Sequence, residues 1–190
     1  MKIYDYIHKD HKKVSALFKK ISAAKTAKMK NELYQKIFSE LTLHLVSEEN
    51  TFYLTLEKYS QSEPKVEHGE EEHTEIKQAM NKLKKLSATS IDWLVQFGVL
   101  KQLVEHHVND EETRIWAAAK QVLSSQQENQ LTIEMEQYKQ KMLGNSDKKE
   151  ESLGLAETIM EIFGVTSDSK TAKRKTSLSQ AKIKTRKRAR

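Results

Sequence analysis

Two of the histidines that are followed four residues later by a glutamate carry the most specific chemistry in this sequence. They are His44 with Glu48 and His107 with Glu111. In a helix, residues four apart lie on adjacent turns of one face, and here apolar residues continue that face in steps of three and four. Each pair is therefore predicted to point into a core. A buried carboxylate with no basic partner is costly unless it binds a cation, so the pattern predicts a metal site.

Two more histidines lie on apolar stripes of their own. His11 lies between Ile7 and Val14, and His73 lies three residues before Ile76. Imidazole and carboxylate ligands together suit iron, manganese or zinc, and the absence of cysteine excludes thiolate ligands and disulfides. The side chains predicted to point into one core are four histidines and two glutamates: His11, His44, Glu48, His73, His107 and Glu111.

Four segments with helical periodicity, at about 4–21, 30–58, 66–86 and 92–123, must position these side chains. The sequence has only 5 glycines and 1 proline, which favours long helices and excludes turn-rich sandwiches and Rossmann units. Short polar connections are typical of antiparallel neighbours, so we predict an all-α, up-down-up-down four-helix bundle. A weaker helix at about 126–143 is predicted to pack outside the bundle or to extend it, and to stop at Gly144-Asn145-Ser146.

The four segments are two hairpins that repeat one another. A shift of 63 residues places the second segment on the fourth, with Tyr34 on Phe97, and a shift of 62 places the first on the third. Polar residues superpose together with the apolar ones, which bundle periodicity alone does not require. The superposed polar pairs are His11 and His73, His44 and His107, Glu48 and Glu111, and Glu49 and Glu112.

These motifs, in this order and at this spacing, resemble the hemerythrin family, in particular the bacterial hemerythrin-like domains with a His-His-Glu pattern. The resemblance covers about residues 1–125 and is carried by HKDHKKV, HLVSEENTFY, EEEHTEI and HHVNDEETRIW. It implies a four-helix bundle with a non-haem di-iron centre, in which Glu48 and Glu111 bridge the ions together with an oxo or hydroxo group. It also implies that the small ligand is O₂, NO or iron itself, in sensing, storage or stress protection.

One position of the third segment departs from the family pattern. Oxygen-carrying members have a further histidine four residues before the one that matches His73, and here that position is Gly69. The candidates for the missing ligand are His68, Glu70 and Glu72. Fewer nitrogen ligands would alter the redox behaviour of the iron, so sensing, iron handling and NO binding stay open beside O₂ binding.

The fourth segment has two adjacent histidines. The five-residue spacing of oxygen carriers fits His106, whereas the repeat and the apolar stripe favour His107, which we choose as the ligand. His8, one turn before His11, is interpreted as a helix-surface residue or as a partner of a ligand. Nearby acids are interpreted as a solvated face: Glu49, Glu105, Glu112 and the run from Glu70 to Glu72.

Charge is divided unevenly along the chain. Residues 1–143 carry 21 basic and 21 acidic side chains, whereas residues 170–190 carry ten basic side chains and no acid. We predict a metal-binding bundle at 1–125, accessory helices and a linker at 126–169, and a disordered basic tail at 170–190. The tail favours non-specific contact with nucleic acid or another polyanion. The alternative function is therefore a metal-independent helical interaction module that this tail tethers to a polyanion.

Several function classes lack their signatures. No nucleophile–base set, phosphate-cradling glycine loop or zinc-protease helix occurs, which favours a binding protein over an enzyme and leaves turnover at the metal open. No apolar run approaches the roughly 20 residues that cross a membrane. The first residues lack the apolar core of a signal peptide, so we expect a cytoplasmic protein.

Overall fold

Apolar side chains with a 3.6-residue period produce an all-helical framework. The computed structural model describes residues 1–147, with side chains to residue 144, and that range holds no strand. The helices are α1 (Ile3–Ser22), α2 (Ala27–Glu48), α3 (Leu54–Leu56), α4 (Glu63–Lys84), α5 (Ile91–Asp110), α6 (Trp116–Val122) and α7 (Ser125–Asp147). Four rods, namely α1, α2 with α3, α4, and α5 with α6, form the predicted four-helix bundle, which confirms the fold class.

Local sequence explains where three of these helices begin. Thr26 and Ser90 precede α2 and α5, and each side-chain oxygen accepts a hydrogen bond from the backbone N–H three residues later, at 3.2 Å and 3.1 Å. Pro64 lies in the first turn of α4, where a missing N–H removes no helical hydrogen bond. Each of these helices begins directly after a short connection. Because a short connection cannot span the bundle, consecutive rods lie side by side.

The rods pack as two hairpins that face each other. Helix α1 packs on α2 and α4 packs on α5, while α2 also contacts α4. Each rod buries its apolar stripe, and Ile7, Ile37, Ile76 and Leu100 are fully buried, one on each rod. The core therefore runs along the middle of the bundle, and the predicted ligands lie on the stripes that line it.

Two π-helical turns interrupt the second and fourth rods. They span Glu49–Tyr53 and Glu111–Ile115, which the internal repeat superposes with an offset of one residue. A π turn inserts one extra residue and so rotates the following side chains by about 100° around the helix axis. The predicted helical segments continue through both turns, but the turns themselves were not predicted, because an apolar periodicity does not reveal a single inserted residue. Such turns are frequent at functional sites.

Helix α7 packs on the end of the bundle where the chain begins. Leu131 and Met135 are buried in one cluster with Ile3 and other apolar side chains of the bundle. The helix continues beyond its predicted stop, through Gly144, because glycine inside a helix costs only about 1 kcal/mol relative to alanine. The predicted domain boundaries remain predictions, and the basic tail lies outside the described residues. No helix within residues 1–147 is long and apolar enough to cross a membrane.

The packing of α7 can be tested with two variants of that helix. Met135→Ala removes a fully buried side chain and should lower the free energy of unfolding by about 2–5 kcal/mol. Ile133→Ala removes a side chain that is 51% exposed and should change that free energy by less than about 0.5 kcal/mol. Urea denaturation of the full chain measures both. Equal effects of the two variants would show that α7 does not pack on the bundle.

Candidate metal centre

The structure brings all six predicted ligand side chains together in the middle of the bundle. They come from all four rods and are buried, with His11 the most exposed at 6%. The Nε2 atom of His73 lies 3.1 Å from that of His107, and 3.4 Å from Glu48 Oε2. The Nε2 atom of His11 lies 3.0 Å from Glu111 Oε2. Four of the six, His44, Glu48, His107 and Glu111, offer ligand atoms that all lie within 4.8 Å of one another.

The outer nitrogen of each histidine faces a carboxylate on a neighbouring rod. In the first pair of contacts, His11 Nδ1 lies 2.8 Å from Glu112 Oε1 and His73 Nδ1 lies 2.8 Å from Glu49 Oε1. The internal repeat superposes these two contacts on each other. Glu49 also accepts hydrogen bonds from the Lys77 ammonium, at 2.6 Å and 2.8 Å. Both glutamates lie one residue after a buried glutamate, at the start of a π turn.

The contacts of the other two histidines, His107 and His44, are also related by the internal repeat. His107 Nδ1 lies 3.0 Å from Glu72 Oε2, and His44 Nδ1 lies 3.5 Å from Asp10 Oδ2. A shift of 62 residues superposes Asp10 on Glu72, so each hairpin supplies one acid immediately before its first histidine. Asp10 is in turn held by the ammonium of Lys139 on α7. Every predicted histidine ligand thus has a carboxylate behind it.

These contacts decide which ring nitrogen faces inward. A carboxylate accepts a hydrogen bond, so Nδ1 of His73 and of His107 carries the proton and their Nε2 atoms present lone pairs to the interior. His11 has a carboxylate within 3.0 Å of each nitrogen, and Nδ1 of His44, 3.5 Å from Asp10, has no hydrogen-bond partner among the described residues. Between His73 and His107 two such lone pairs meet at 3.1 Å, where neither nitrogen has a proton to donate. A cation bound to both nitrogens removes this repulsion, and the same arrangement orients metal-bound imidazoles elsewhere.

Buried polar atoms in the same place lack hydrogen-bond partners. Within the described residues this is true of both carboxylate oxygens of Glu48, Oε2 of Glu111 and the Nε2 atoms of His11 and His44. Buried polar groups are satisfied in nearly all folded proteins, so unsatisfied atoms that converge on one point need an explanation. Oxygen and nitrogen donors of this kind fit a transition-metal cation.

The pKa shifts of the buried side chains show that the centre lacks positive charge. Burial raises the pKa of Glu48 well above its usual value, and the nearby carboxylate of Glu111 raises it further. Burial also acts to raise the pKa of Glu111, but the imidazole of His11 outweighs it and the pKa is lowered. Burial lowers the pKa of His44 to about 4 and that of His73 well below its usual value. Burial acts to lower the pKa of His11 as well, but Glu111 and Glu112 outweigh it and the pKa is raised. The interior therefore favours neutral imidazoles at His44 and His73, a positive charge beside Glu111, and only one anionic carboxylate of the adjacent pair, which a bound cation would compensate.

Two aromatic side chains cover the centre at positions that the repeat superposes. Tyr53 stacks on His73 with ring centroids 5.1 Å apart, and Trp116 stacks on His11 at 6.4 Å. Trp116 Nε1 donates a hydrogen bond of 3.2 Å to Glu111 Oε1. The hydroxyl of Tyr53 is buried and has no hydrogen-bond partner among the described residues. Burial raises the pKa of Tyr53 well above its usual value, and the surrounding glutamates add to the shift, so the hydroxyl stays protonated.

Tyr53 also explains why a glycine, Gly69, stands where oxygen-carrying members of the family have a histidine. A Cβ atom added to Gly69 would lie 2.7 Å from the Tyr53 hydroxyl and 3.0 Å from Ile115 Cδ1. The position on α4 where oxygen carriers have a further histidine is therefore filled by a tyrosine from the second rod. Glu70 belongs to none of the histidine–carboxylate groups found among the described residues.

The structure separates the two adjacent histidines of α5. His107 is 1% exposed and faces the centre, as the repeat predicted, whereas the side chain of His106 is 68% exposed. The side chain of His8 is 41% exposed and lies 2.7 Å from Glu112, the acid that faces His11, so His8 is a helix-surface residue that contacts a ligand's partner. The interpretation of the nearby acids as a solvated face was wrong for Glu72, which is 6% exposed, and for Glu49 and Glu112, which contact His73 and His11. The repeat of Asp10 on Glu72 was the signal that could have identified both as partners of histidines.

Comparisons with known proteins agree with this geometry. The family model described as Hemerythrin HHE cation binding domain matches residues 2–119. The chain is 28% identical over 142 residues to a DNA nickase of Nostoc, and 27% identical over 113 residues to an uncharacterized hemerythrin-like protein of Schizosaccharomyces pombe. These matches cover 75% and 58% of the chain, but only 40% and 56% of the relatives' own lengths.

A crystal structure has the same fold. It is that of a hemerythrin HHE cation-binding domain-containing protein from Mycobacterium kansasii, with a TM-score of 0.68 and 18% sequence identity. The similarity covers 83% of this chain and 99% of that one. At this identity the likeness concerns the fold alone.

The contact between Tyr53 and Gly69 predicts an asymmetry between two glycine substitutions. Gly69→Ala should lower the free energy of unfolding by about 1–3 kcal/mol, because its Cβ overlaps the tyrosine hydroxyl. Gly98→Ala, whose Cβ meets nothing within 4 Å, should raise it by up to about 1 kcal/mol. Adding Tyr53→Phe to Gly69→Ala should recover part of the loss. Chemical denaturation measures each value, and a stabilising Gly69→Ala would contradict this packing.

Proposed function

The chain belongs to the hemerythrin HHE cation-binding domain family, and from this premise we propose that it holds two non-haem iron ions in the buried cluster. We propose that the pair binds a diatomic ligand, O₂ or NO, in sensing, storage or stress protection. The observation that carries the proposal is the convergence of four inward Nε2 atoms and two buried carboxylates, with an acid facing Nδ1 of each imidazole. Family membership supports cation binding, and the donor set supports iron.

The internal repeat supports a pair of ions rather than one. His11 and His44 come from the first hairpin, and their equivalents His73 and His107 come from the second. The two carboxylates, Glu48 and Glu111, lie between these histidine pairs, with Glu111 3.0 Å from His11 and Glu48 3.4 Å from His73. Each carboxylate thus contacts a histidine of the other hairpin, as a bridging ligand requires. Two imidazoles and two shared carboxylates leave coordination positions for a small ligand.

Each surrounding side chain has a defined task in this proposal. Bound iron would supply an electron-accepting, ligand-binding centre. Glu49 and Glu72 hold the rings of His73 and His107 in the tautomer that presents Nε2. Trp116 holds one oxygen of Glu111. The protonated hydroxyl of Tyr53 is a hydrogen-bond donor without a partner among the described residues. Fully buried apolar neighbours, Phe52 and Ile115, exclude bulk water from this end of the centre.

Replacing one buried carboxylate tests the centre directly. Glu111→Ala should lower the iron content of protein expressed in iron-supplemented medium well below two ions per chain, because it removes a ligand from both ions. Glu105→Ala is the matched control, since Glu105 lies on the same rod and its side chain is 62% exposed. Metal analysis and the ultraviolet–visible spectrum are the measurements, with two irons and an oxo-bridge charge-transfer band expected for the wild type. Full iron retention in Glu111→Ala would refute the ligand assignment.

The similarity to a DNA nickase and the basic tail together favour a second candidate function. The chain spans 40% of that relative, so its nicking activity does not transfer to this chain by similarity. The tail at 170–190 carries ten basic residues and no acid. We propose that these residues bind nucleic acid through its phosphates, without sequence preference.

Truncation after Ser169 separates the two candidates. It should leave iron content unchanged and abolish most binding to duplex DNA, because it removes residues 170–190. For the full chain, log Kobs against log salt should fall with a slope as steep as about −9 if all ten basic residues contact phosphate. Fluorescence anisotropy with a labelled duplex measures the slope. An unchanged affinity and slope after truncation would show that the tail does not contact DNA.

A further inference from the structure

A second group of metal-binding side chains lies on the surface of the bundle, beside the buried centre. It consists of His68 and Glu72 on α4 and His106 on α5, whose ligand atoms all lie within 4.8 Å of one another. The two histidines are exposed, with 48% and 68% of their side chains accessible to solvent, whereas Glu72 is buried. We propose that these three residues form an outer site for a divalent transition-metal cation, separate from the buried pair.

The distances fit a single cation. Glu72 Oε1 lies 3.3 Å from His106 Nε2 and 3.7 Å from His68 Nε2. Two ligand atoms bound at about 2.1 Å to one tetrahedral cation are roughly 3.4 Å apart. The separations observed here are therefore close to those of ligands that already surround an ion. Two imidazoles and one carboxylate are also the protein ligands of many zinc and non-haem iron sites that keep a position open to solvent.

An unsatisfied buried atom points into this group. Glu72 is 6% exposed, and its Oε1 atom has no hydrogen-bond partner among the described residues, although its Oε2 accepts from His107. Within residues 1–144 the ion pairs of Glu72 are with His68, His106 and His107. A buried carboxylate oxygen without a hydrogen bond carries a desolvation cost that a cation between the two imidazoles would offset.

Helix geometry gives the group its rigidity. His68 and Glu72 are four residues apart on α4, so they share one face on adjacent turns, as His44 and Glu48 do in the buried centre. The third residue, His106, comes from the neighbouring helix of the same hairpin, and α4 and α5 pack extensively on each other. The outer site would therefore form when that hairpin packs, without residues from the other hairpin.

The shared carboxylate connects the outer group to the buried centre without merging them. The Oε2 atom of Glu72 holds Nδ1 of His107, whose Nε2 faces the interior, while Oε1 faces His68 and His106. One carboxylate can serve both roles because each role uses a different oxygen. The outer site does not depend on the identity of the buried metal, so it goes beyond the proposed function.

Zn²⁺ titration of metal-free full-length variants tests this inference. Wild type should bind one more Zn²⁺ than His106→Ala or His68→Ala, or those variants should hold that ion at least about 10-fold more weakly, a loss typical even of partners outside the ligand shell. Glu105→Ala is the matched control, because Glu105 is next to His106 in the sequence, its side chain is 62% exposed, and it belongs to none of the histidine–carboxylate groups of the described residues. Calorimetric stoichiometry and anomalous scattering at the zinc edge measure number and position.

Glu111→Ala keeps the test independent of the proposed function. That variant should lose cations from the buried centre and still show anomalous density between His68, Glu72 and His106. If density appears only in the buried centre, or if His106→Ala and wild type bind equal numbers of Zn²⁺ with equal affinity, the outer site is overturned while the proposed function stands. Density at the outer group alone in the wild type would support the outer site, and the iron content of wild type and Glu111→Ala would still test the buried pair.

Discussion

The structure depends on the burial of two carboxylates among four imidazoles. Glu48 and Glu111 are fully buried, and within the described residues neither forms an ion pair with a lysine or an arginine. Three of their four carboxylate oxygens have no hydrogen-bond partner among those residues. Such an arrangement is costly in an apolar core unless positive charge is placed between the groups. All four rods meet around this point, so the energetic constraint at the centre is also a constraint on how the helices are arranged.

The internal repeat places the same set of polar side chains around each of the two buried carboxylates. Each hairpin supplies an inward histidine on both of its rods and one buried glutamate, and each supplies two of the outer acids. The acids Asp10 and Glu72 hold histidines of their own hairpin, His44 and His107, whereas Glu49 and Glu112 hold histidines of the other hairpin. The outer acids thus connect the two hairpins as well as facing the imidazole rings. Glu49 and Glu112, which contact the other hairpin, lie within the first two residues of the π turns.

The two halves are equivalent in their ligands and different in their surroundings. Trp116 donates to a buried carboxylate, whereas its repeat partner Tyr53 turns an unpartnered hydroxyl toward Gly69. Lys139 supports Asp10 on one side, whereas exposed histidines surround Glu72 on the other. Tyr53 therefore places a hydroxyl donor on one side of the centre. Outside the centre, His68 and His106 surround Glu72, whereas His8 alone faces Glu112. The family match concerns the shared ligand pattern, and these differences belong to this chain.

Sequence alone determined the helical class, the four rods and the six inward side chains, because helix geometry converts spacing directly into a shared face. His44 and Glu48 had to point the same way once the segment was helical. The apolar stripe indicated that His107, and not His106, points into the core. The partners across helices were not predictable in this way. Whether Glu72 meets His107, or Tyr53 fills the space at Gly69, depends on the rotation and axial stagger of neighbouring rods, and a single inserted residue in each π turn changes both. Contacts such as His11 with Glu112 join residues 101 positions apart, and only the packed tertiary structure decided them.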